Sequence, residues 1–226
     1  MKKLTIAAAL AAATMLASPA QAADPEGKIQ VKLLATGVLP DGKIESVNVN
    51  LTAAPTAALA TKANDNVVPT LAVEYFATPN ISVETICCVT GHHVTISDGA
   101  LKGQIAVDDV KIIPATLTAK YHLPLGPIKP YIGVGPTLFL MLSDSPSAVV
   151  REVSVTRTKL SSELGVAVQA GADVTIGNGF SLTVDAKKYW VSTDATFYAP
   201  VEGGIALKTR HRLDPWVVSG GIAYRF

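Results

Sequence analysis

The sequence predicts an all-β protein, an eight-stranded antiparallel transmembrane β-barrel with short periplasmic turns and long extracellular loops. Three observations predict it. The chain opens on a secretory leader. Its remaining apolar residues alternate with polar ones at the two-residue period of strands, and no run is long enough for a spanning helix. Finally, the alternating segments are joined by connections that switch between tight and long.

The leader is read from Lys2 and Lys3, the apolar run from Leu4 to about Leu16, and the small residues Ala20-Gln21-Ala22. These are the basic, apolar and cleavage regions of a signal peptide, and the apolar run is too short to serve as an anchor helix. The expected division is a cleaved signal peptide at 1–22 and one outer-membrane barrel domain at 23–226. Taking Lys2 and Lys3 from the 19 basic residues leaves 17 against 18 acidic. A chain this close to neutral offers no basic field for nucleic acid. The most apolar later stretch, Tyr131 to Leu142 (YIGVGPTLFLML), holds two glycines and a proline, so any membrane crossing falls to strands.

The first strand, 28 to 38, puts Ile29, Val31, Leu33 and Ala35 on one face and Gln30, Lys32, Leu34 and Thr36 on the other. The second, 70 to 76, sets Leu71, Val73 and Tyr75 against Thr70, Ala72 and Glu74. Thr78-Pro79-Asn80 is a tight turn, and the third strand follows with Ile81, Val83 and Thr85 opposite Ser82 and Glu84. The fourth, 115 to 123, opposes Leu117, Ala119, Tyr121 and Leu123 to Thr116, Thr118, Lys120 and His122. After the turn 124 to 127 comes the fifth, with Ile132, Val134, Leu138, Leu140 and Leu142 opposite Gly133, Gly135, Thr137, Phe139 and Met141. The sixth, 160 to 176, carries Leu164, Val166, Val168 and Val174 on one side and Glu163, Gly165, Gln169 and Asp173 on the other. Gly177-Asn178-Gly179 is a hairpin signal. The seventh, 180 to 190, sets Phe180, Leu182 and Val184 against Ser181, Thr183, Asp185 and Lys187. The eighth begins near Pro215 and ends the chain in GGIAYRF, with Trp216, Val218, Ile222, Tyr224 and Phe226 on one face.

Three connections are tight, 77 to 80, 124 to 127 and 177 to 179, while 39 to 66, 89 to about 110, 143 to 157 and 192 to 214 are long. Turns at one end and loops at the other are the arrangement of an outer-membrane barrel. A soluble sandwich shares the period but not the alternation of connection lengths. In an eight-stranded barrel the interior is about wide enough for side chains to fill. The registers above send Lys32, Lys120, Lys187 and Arg225 inward with Glu74, Glu84, Glu163, Asp173 and Asp185. Such charges must pair in a narrow lumen, so the expectation is a network that holds the barrel together, against the rival reading of a charge-selective pore. Phe139, Met141, Leu34 and the glycines of YIGVG suggest that part of the lumen is apolar or hollow.

Cys87 and Cys88 are adjacent, with His92 and His93 nearby and no CxxC spacing, so an extracellular or rim loop is expected over a Cys/His metal cluster. No metal and no cofactor is expected, and no role is attached to the cysteines.

Four blocks, PATLTAKYH, PYIGVG, QAGAD and DPWV…YRF, occur in that order, and the chain from about Lys28 to Phe226 resembles the OmpW family of outer-membrane proteins. The resemblance implies residence in the outer membrane of a Gram-negative bacterium. It also implies a narrow, largely hydrophobic channel that admits small hydrophobic molecules and releases them sideways into the lipid bilayer. Inward residues of the matching blocks that would line that route are Thr116, Thr118, Gly133, Gly135, Thr137 and Phe139. Phe226, with Tyr224, resembles the terminal signal read by the barrel-insertion machinery. Two rivals stand beside the channel. One is a structural or surface-binding protein with a plugged lumen; the other is a membrane enzyme, for which no spaced Ser/His motif stands out.

Overall fold

The computed structural model describes residues 27–51, 61–87, 89–96, 102–146, 156–198 and 204–226; the expected signal peptide and Cys88 lie outside them. Strands are numbered in chain order. Eight of them form the barrel: β1 (Ile29–Leu39), β4 (Asn66–Phe76), β5 (Ile81–Cys87), β7 (Ile105–His122), β8 (Ile128–Pro146), β10 (Glu163–Gly177), β11 (Phe180–Trp190) and β14 (Trp216–Arg225). Each pairs antiparallel with its neighbour in the order β7-β5-β4-β1-β14-β11-β10-β8, and β8 pairs with β7 to close the cylinder. Closure leaves no open sheet edge in the hydrocarbon, where an unpaired backbone group would be costly. All eight are the strands expected from the sequence.

The tight turns gather at one end, with the N-terminal end of β1 and the C-terminal end of β14. Thr78 Oγ1 accepts from the backbone N–H of Asn80 and Ile81 in the first turn. Asn178 (φ 52°) and Gly179 (φ 80°) form the turn between β10 and β11, where a residue pair tolerant of positive φ is required.

The long connections depart from expectation. They carry β2 (Lys43–Asn50), β3 (Thr61–Ala63), β6 (Thr90–Ile96), β9 (Arg157–Leu160), β12 (Ser192–Tyr198) and β13 (Ile205–Arg212). β2, β13, β12 and β9 form a four-stranded sheet above β1, β14, β11 and β10, while β3 and β6 extend the wall of β7. The sequence read these segments as loops because their alternation is faint. One face meets water with charges, and the other carries His and Thr among its apolar residues.

The outer barrel surface is apolar. Val73, Leu117, Ile132, Val166, Leu182 and Ile222 are all exposed there. Trp190 and Trp216 stand outward at the loop end, and Tyr75, Tyr121, Phe180 and Phe226 at the turn end, as interfacial aromatics do. β1 spans 11 residues; at ~3.4 Å per residue and a tilt of ~40° that is about 25 Å, the height of an outer-membrane hydrocarbon band.

Candidate functional site

Strand parity sends one set of side chains into the lumen, and height along the strands divides it into a charged floor and an apolar chamber. The charges of the floor come from six strands. Lys32 Nζ forms ion pairs with Glu74 at 2.7 Å and Glu84 at 3.0 Å and lies 3.7 Å from Asp173. Lys120 donates to Glu74 and Glu84 at 2.9 Å each. Lys187 donates to Glu84 at 3.1 Å and Asp185 at 2.6 Å. Neutral groups complete the layer. Thr118 donates to Gln169 (2.9 Å), Gln30 to Asp173 (3.2 Å) and Tyr131 to Asp185 (2.9 Å), with the Lys120 ammonium 3.7 Å from the Tyr131 ring centre. Buried charges held this way are paired and hydrogen-bonded, the condition under which their desolvation is tolerable.

Two of the nine charges expected in this network lie apart from it. Arg225 is half-buried at the turn end, where it donates to the Gly27 carbonyl and sets its guanidinium 3.6 Å from the Phe76 ring centre. Glu163 is half-buried at the loop end and accepts from Ser161 at 2.8 Å. Each shares the network's parity but lies at the wrong height. Tyr224 and Phe226 stack at the turn-end rim, ring centres 5.9 Å apart.

The floor also gathers Ser82, His122 and Glu74. His122 Nε2 lies 2.8 Å from Ser82 Oγ and 2.9 Å from Glu74 Oε1, and Ser82 Oγ–H donates to the same carboxylate oxygen. A nucleophile–base–acid relay needs the acid on one ring nitrogen and the nucleophile on the other. Here both sit on one nitrogen, all three residues are buried, and the ring is packed between Phe76 and Tyr131. The cluster satisfies buried polar groups.

Above the floor is a chamber of about 130 Å³. The barrel lines it with Leu34, Val38, Ile86, Ile112, Phe139, Tyr189 and Val217, the extracellular strands add Val94, Leu160 and Phe197, and Leu213 follows β13. The Phe139 and Tyr189 rings meet edge-on at 5.5 Å. Polar groups on its wall are few. Thr70 is buried, its hydroxyl without a partner among the described residues, and Lys187 touches the chamber from below. His92 lies 2.9 Å from the Asn64 carbonyl through Nδ1, and His211 lies 2.7 Å from Thr209 Oγ1 through Nε2. Burial pushes both imidazoles below their ordinary pKa, more strongly than the Asn64 carbonyl beside His92 or Asp194 beside His211 can raise them.

Of the six residues expected to line a solute route, Phe139 alone is on the chamber wall. Thr116 and Thr137 are hydrogen-bonded to each other at 2.8 Å, and Thr118 belongs to the floor. The glycines do not leave a hollow. The space beside Gly133 is filled by the Lys120 and Gln169 side chains, and a methyl on Gly135 would strike the Leu117 backbone. Gly171 likewise gives room to the Tyr131 ring. Of the chamber residues the sequence did not single out, His211 and Phe197 lie in a segment read as loop, whereas Leu160, expected at the start of the sixth strand on its apolar outer face, ends β9 and lines the chamber. The alternation of Thr193, Ala195 and Phe197 toward the chamber is the signal that could have found them. Cys87 lies at the end of β5. Among the described residues no cluster of His, Cys, Asp and Glu could hold a metal.

Comparison with known proteins gives consistent findings. The sequence profile of the OmpW family matches residues 25–226. An uncharacterized outer-membrane protein, y4mB, of Sinorhizobium fredii is 30% identical over 223 residues, covering 96% of this chain and 90% of that one. The dibenzothiophene metabolism operon protein PahQ of Pseudomonas aeruginosa is 28% identical over 165 residues, covering 73% of this chain and 74% of that one. Among solved structures, the outer membrane protein OprG of Pseudomonas aeruginosa superposes with a TM-score of 0.79 at 21% identity, covering 92% of this chain and 99% of that one.

Proposed function

The chain belongs to the OmpW family and is an outer-membrane β-barrel, and from that premise we propose that it admits small hydrophobic molecules from outside and passes them sideways into the bilayer. The observation that carries this reading is the apolar chamber set on a closed, charged floor. An apolar solute gains by leaving water for such a wall, whereas an ion or sugar would forfeit its hydration with few groups to replace it. Cavities of ~150 Å³ accept a benzene-sized guest, and this chamber is only slightly smaller at about 130 Å³. The name of the Pseudomonas relative, which refers to metabolism of an apolar aromatic compound, supports the same solute class.

The floor blocks a straight path to the periplasm, so the exit must pierce the wall. β8 and β9 belong to different sheets, and at their junction the Met141 backbone N–H is held by the Ser162 hydroxyl at 3.2 Å. Leu142 and Leu164 face outward beside this seam and are 57% and 75% exposed, while Leu160 faces the chamber. A side-chain hydrogen bond of this kind is a weaker closure than a backbone ladder.

The test is flux into proteoliposomes holding the mature protein, compared with empty vesicles, for a small apolar solute and a sugar of similar size. Faster uptake of the apolar solute is expected, and Phe139→Asp should reduce it severalfold by placing a charge on the chamber wall. Passage of the sugar would mean a polar pore and end the proposal. No flux of either would favour a plugged barrel that acts through its surface.

A further inference from the structure

The four-stranded extracellular sheet has two unlike faces. The inner one lines the chamber with Leu160, Thr193, Ala195, Phe197 and His211. The outer one carries cations. Register places Thr196 opposite both Lys208 and Lys159, Tyr198 opposite Arg157, and Lys43 opposite Arg212. Lys159, Arg157, Lys208, Arg210, Arg212 and Lys43 therefore share one surface. Lys188 continues it downward: its ammonium lies 5.3 Å from the Trp216 ring centre and donates to the Asp214 carbonyl at 2.5 Å.

Carboxylates answer only part of this charge. Asp194 pairs with Lys208 at 3.1 Å and Arg210 at 3.3 Å, Asp214 with Arg212 at 3.4 Å, and Glu45 lies 3.7 Å from Arg210. Lys43, Arg157 and Lys159 have no carboxylate partner among the described residues, although Arg157 stacks over Tyr198 at 4.2 Å. Cations gathered on one sheet face repel one another, and a sheet built only for solubility would intersperse its signs.

Position identifies the occupant. Trp190 and Trp216 mark where the apolar band ends, and the cations begin at that level. Arg157 pairs with Tyr198, eight residues beyond Trp190, so at ~3.3 Å per residue and ~40° tilt the row climbs about 20 Å. A simple phospholipid presents its phosphate in one layer. A row of that height matches a lipid whose sugar headgroup bears phosphates at several levels, and guanidinium and ammonium groups are suited to phosphate. We propose that the outer face of the β2-β13-β12-β9 sheet is a docking surface for the phosphorylated glycolipid of the outer leaflet. The barrel is thereby anchored on one side by the membrane's headgroups.

The test titrates the mature protein in neutral-detergent micelles with a fluorescent rough lipopolysaccharide, phosphorylated on both its lipid anchor and its core sugars, and with the same lipid after phosphatase treatment. The phosphorylated form should bind on the order of tenfold more tightly, and raising salt from about 50 to about 300 mM should erode the difference. The triple variant K43Q/R157Q/K159Q removes the cations that lack carboxylate partners and should lose most of the preference. Its folding would be checked by heat-modifiable gel mobility, and the single variant R157Q should show a partial loss should the triple variant fail to fold. Equal binding of the two lipids would overturn the proposal, as would a folded variant that keeps the preference. Displacement of the lipid by inorganic phosphate at matched phosphate concentration would also overturn it, since the face would then be a general anion site.

Discussion

Glu84→Gln is the sharpest probe of the floor. The Glu84 carboxylate is 2% exposed and touches lysines from three strands: Lys32 at 3.0 Å, Lys120 at 2.9 Å and Lys187 at 3.1 Å. Glutamine keeps the shape and one acceptor but turns an NH₂ toward the ammonium groups. Formal charge is not the deciding quantity. The wild-type floor sets Lys32, Lys120 and Lys187 against Glu74, Glu84, Asp173 and Asp185, so the variant is closer to balance. What it loses is the one carboxylate in contact with all three lysines. Removing one partner of a buried pair costs about 3–5 kcal/mol. Glu74 still reaches Lys32 and Lys120, and Asp185 still reaches Lys187, so the expected loss is smaller, ~2–3 kcal/mol. The assay is reversible urea unfolding in lipid vesicles followed by tryptophan fluorescence, with a double-mutant cycle against Lys187→Met expected to give a coupling above ~1 kcal/mol. Glu163→Gln is the control. Its residue has the same strand parity but, among the described residues, only Ser161 as partner, and it should stay within ~0.5 kcal/mol of wild type. A loss below ~1 kcal/mol for Glu84→Gln, with no coupling, would refute the reasoning, because it would mean that water rather than protein solvates these charges.

Two further outcomes follow from the same geometry. Gly171→Ala should cost ~1–3 kcal/mol, because its methyl would overlap the Tyr131 ring and the Val184 carbonyl. Gly220→Ala, whose nearest neighbour would be 3.9 Å away, should be near neutral in the same unfolding assay. Acidification should weaken the chamber. The imidazoles of His92 and His211 titrate below their ordinary value when folded, so the unfolded chain takes up more protons and stability falls as pH drops through ~6.5 toward the folded values. Binding of an apolar fluorescent probe should therefore decline between about pH 7.5 and pH 5, and His211→Gln should flatten that decline; a variant with an unchanged profile would assign the pH dependence elsewhere.

Much of the barrel was legible because lipid and lumen impose opposite demands on alternate residues. Where both demands were strong, as in β4 with Leu71, Val73 and Tyr75 against Thr70, Ala72 and Glu74, the period-2 pattern located the strand and its inward face. Above the membrane the outer demand changes from apolar to charged. β13, IALKTRHR, buries Leu207 and Thr209 and half-buries His211 while Lys208, Arg210 and Arg212 face water, and no hydrophobic period reveals such a strand. Height was illegible for a different reason. Parity says which face a residue occupies but not which residues on other strands share its level, because that depends on stagger between strands far apart in sequence. Glu163 and Arg225 show this, since each points toward the lumen from the wrong end. Gly133 shows the converse: a missing side chain in the sequence reads as space, but in the fold Lys120 and Gln169 occupy it.

That partition by height bears on how the chamber works. Inward residues turn from charged to apolar within two positions on three walls, from Lys32 to Leu34 on β1, Glu84 to Ile86 on β5 and Lys187 to Tyr189 on β11. Lys187 belongs to both zones, with its stem on the chamber and its ammonium on Glu84 and Asp185; a long cationic side chain can cover apolar surface while its head stays with polar partners. The floor thus presents aliphatic stem upward and keeps its charge below. On the proposed function, a solute in the chamber would meet a mainly apolar wall without disturbing the ion pairs beneath it. The two halves of the lumen depend on each other. If the chamber takes apolar solutes as proposed, opening the floor should wet it and abolish that preference even where every chamber residue is retained, so Glu84→Gln should lower apolar uptake as well as stability.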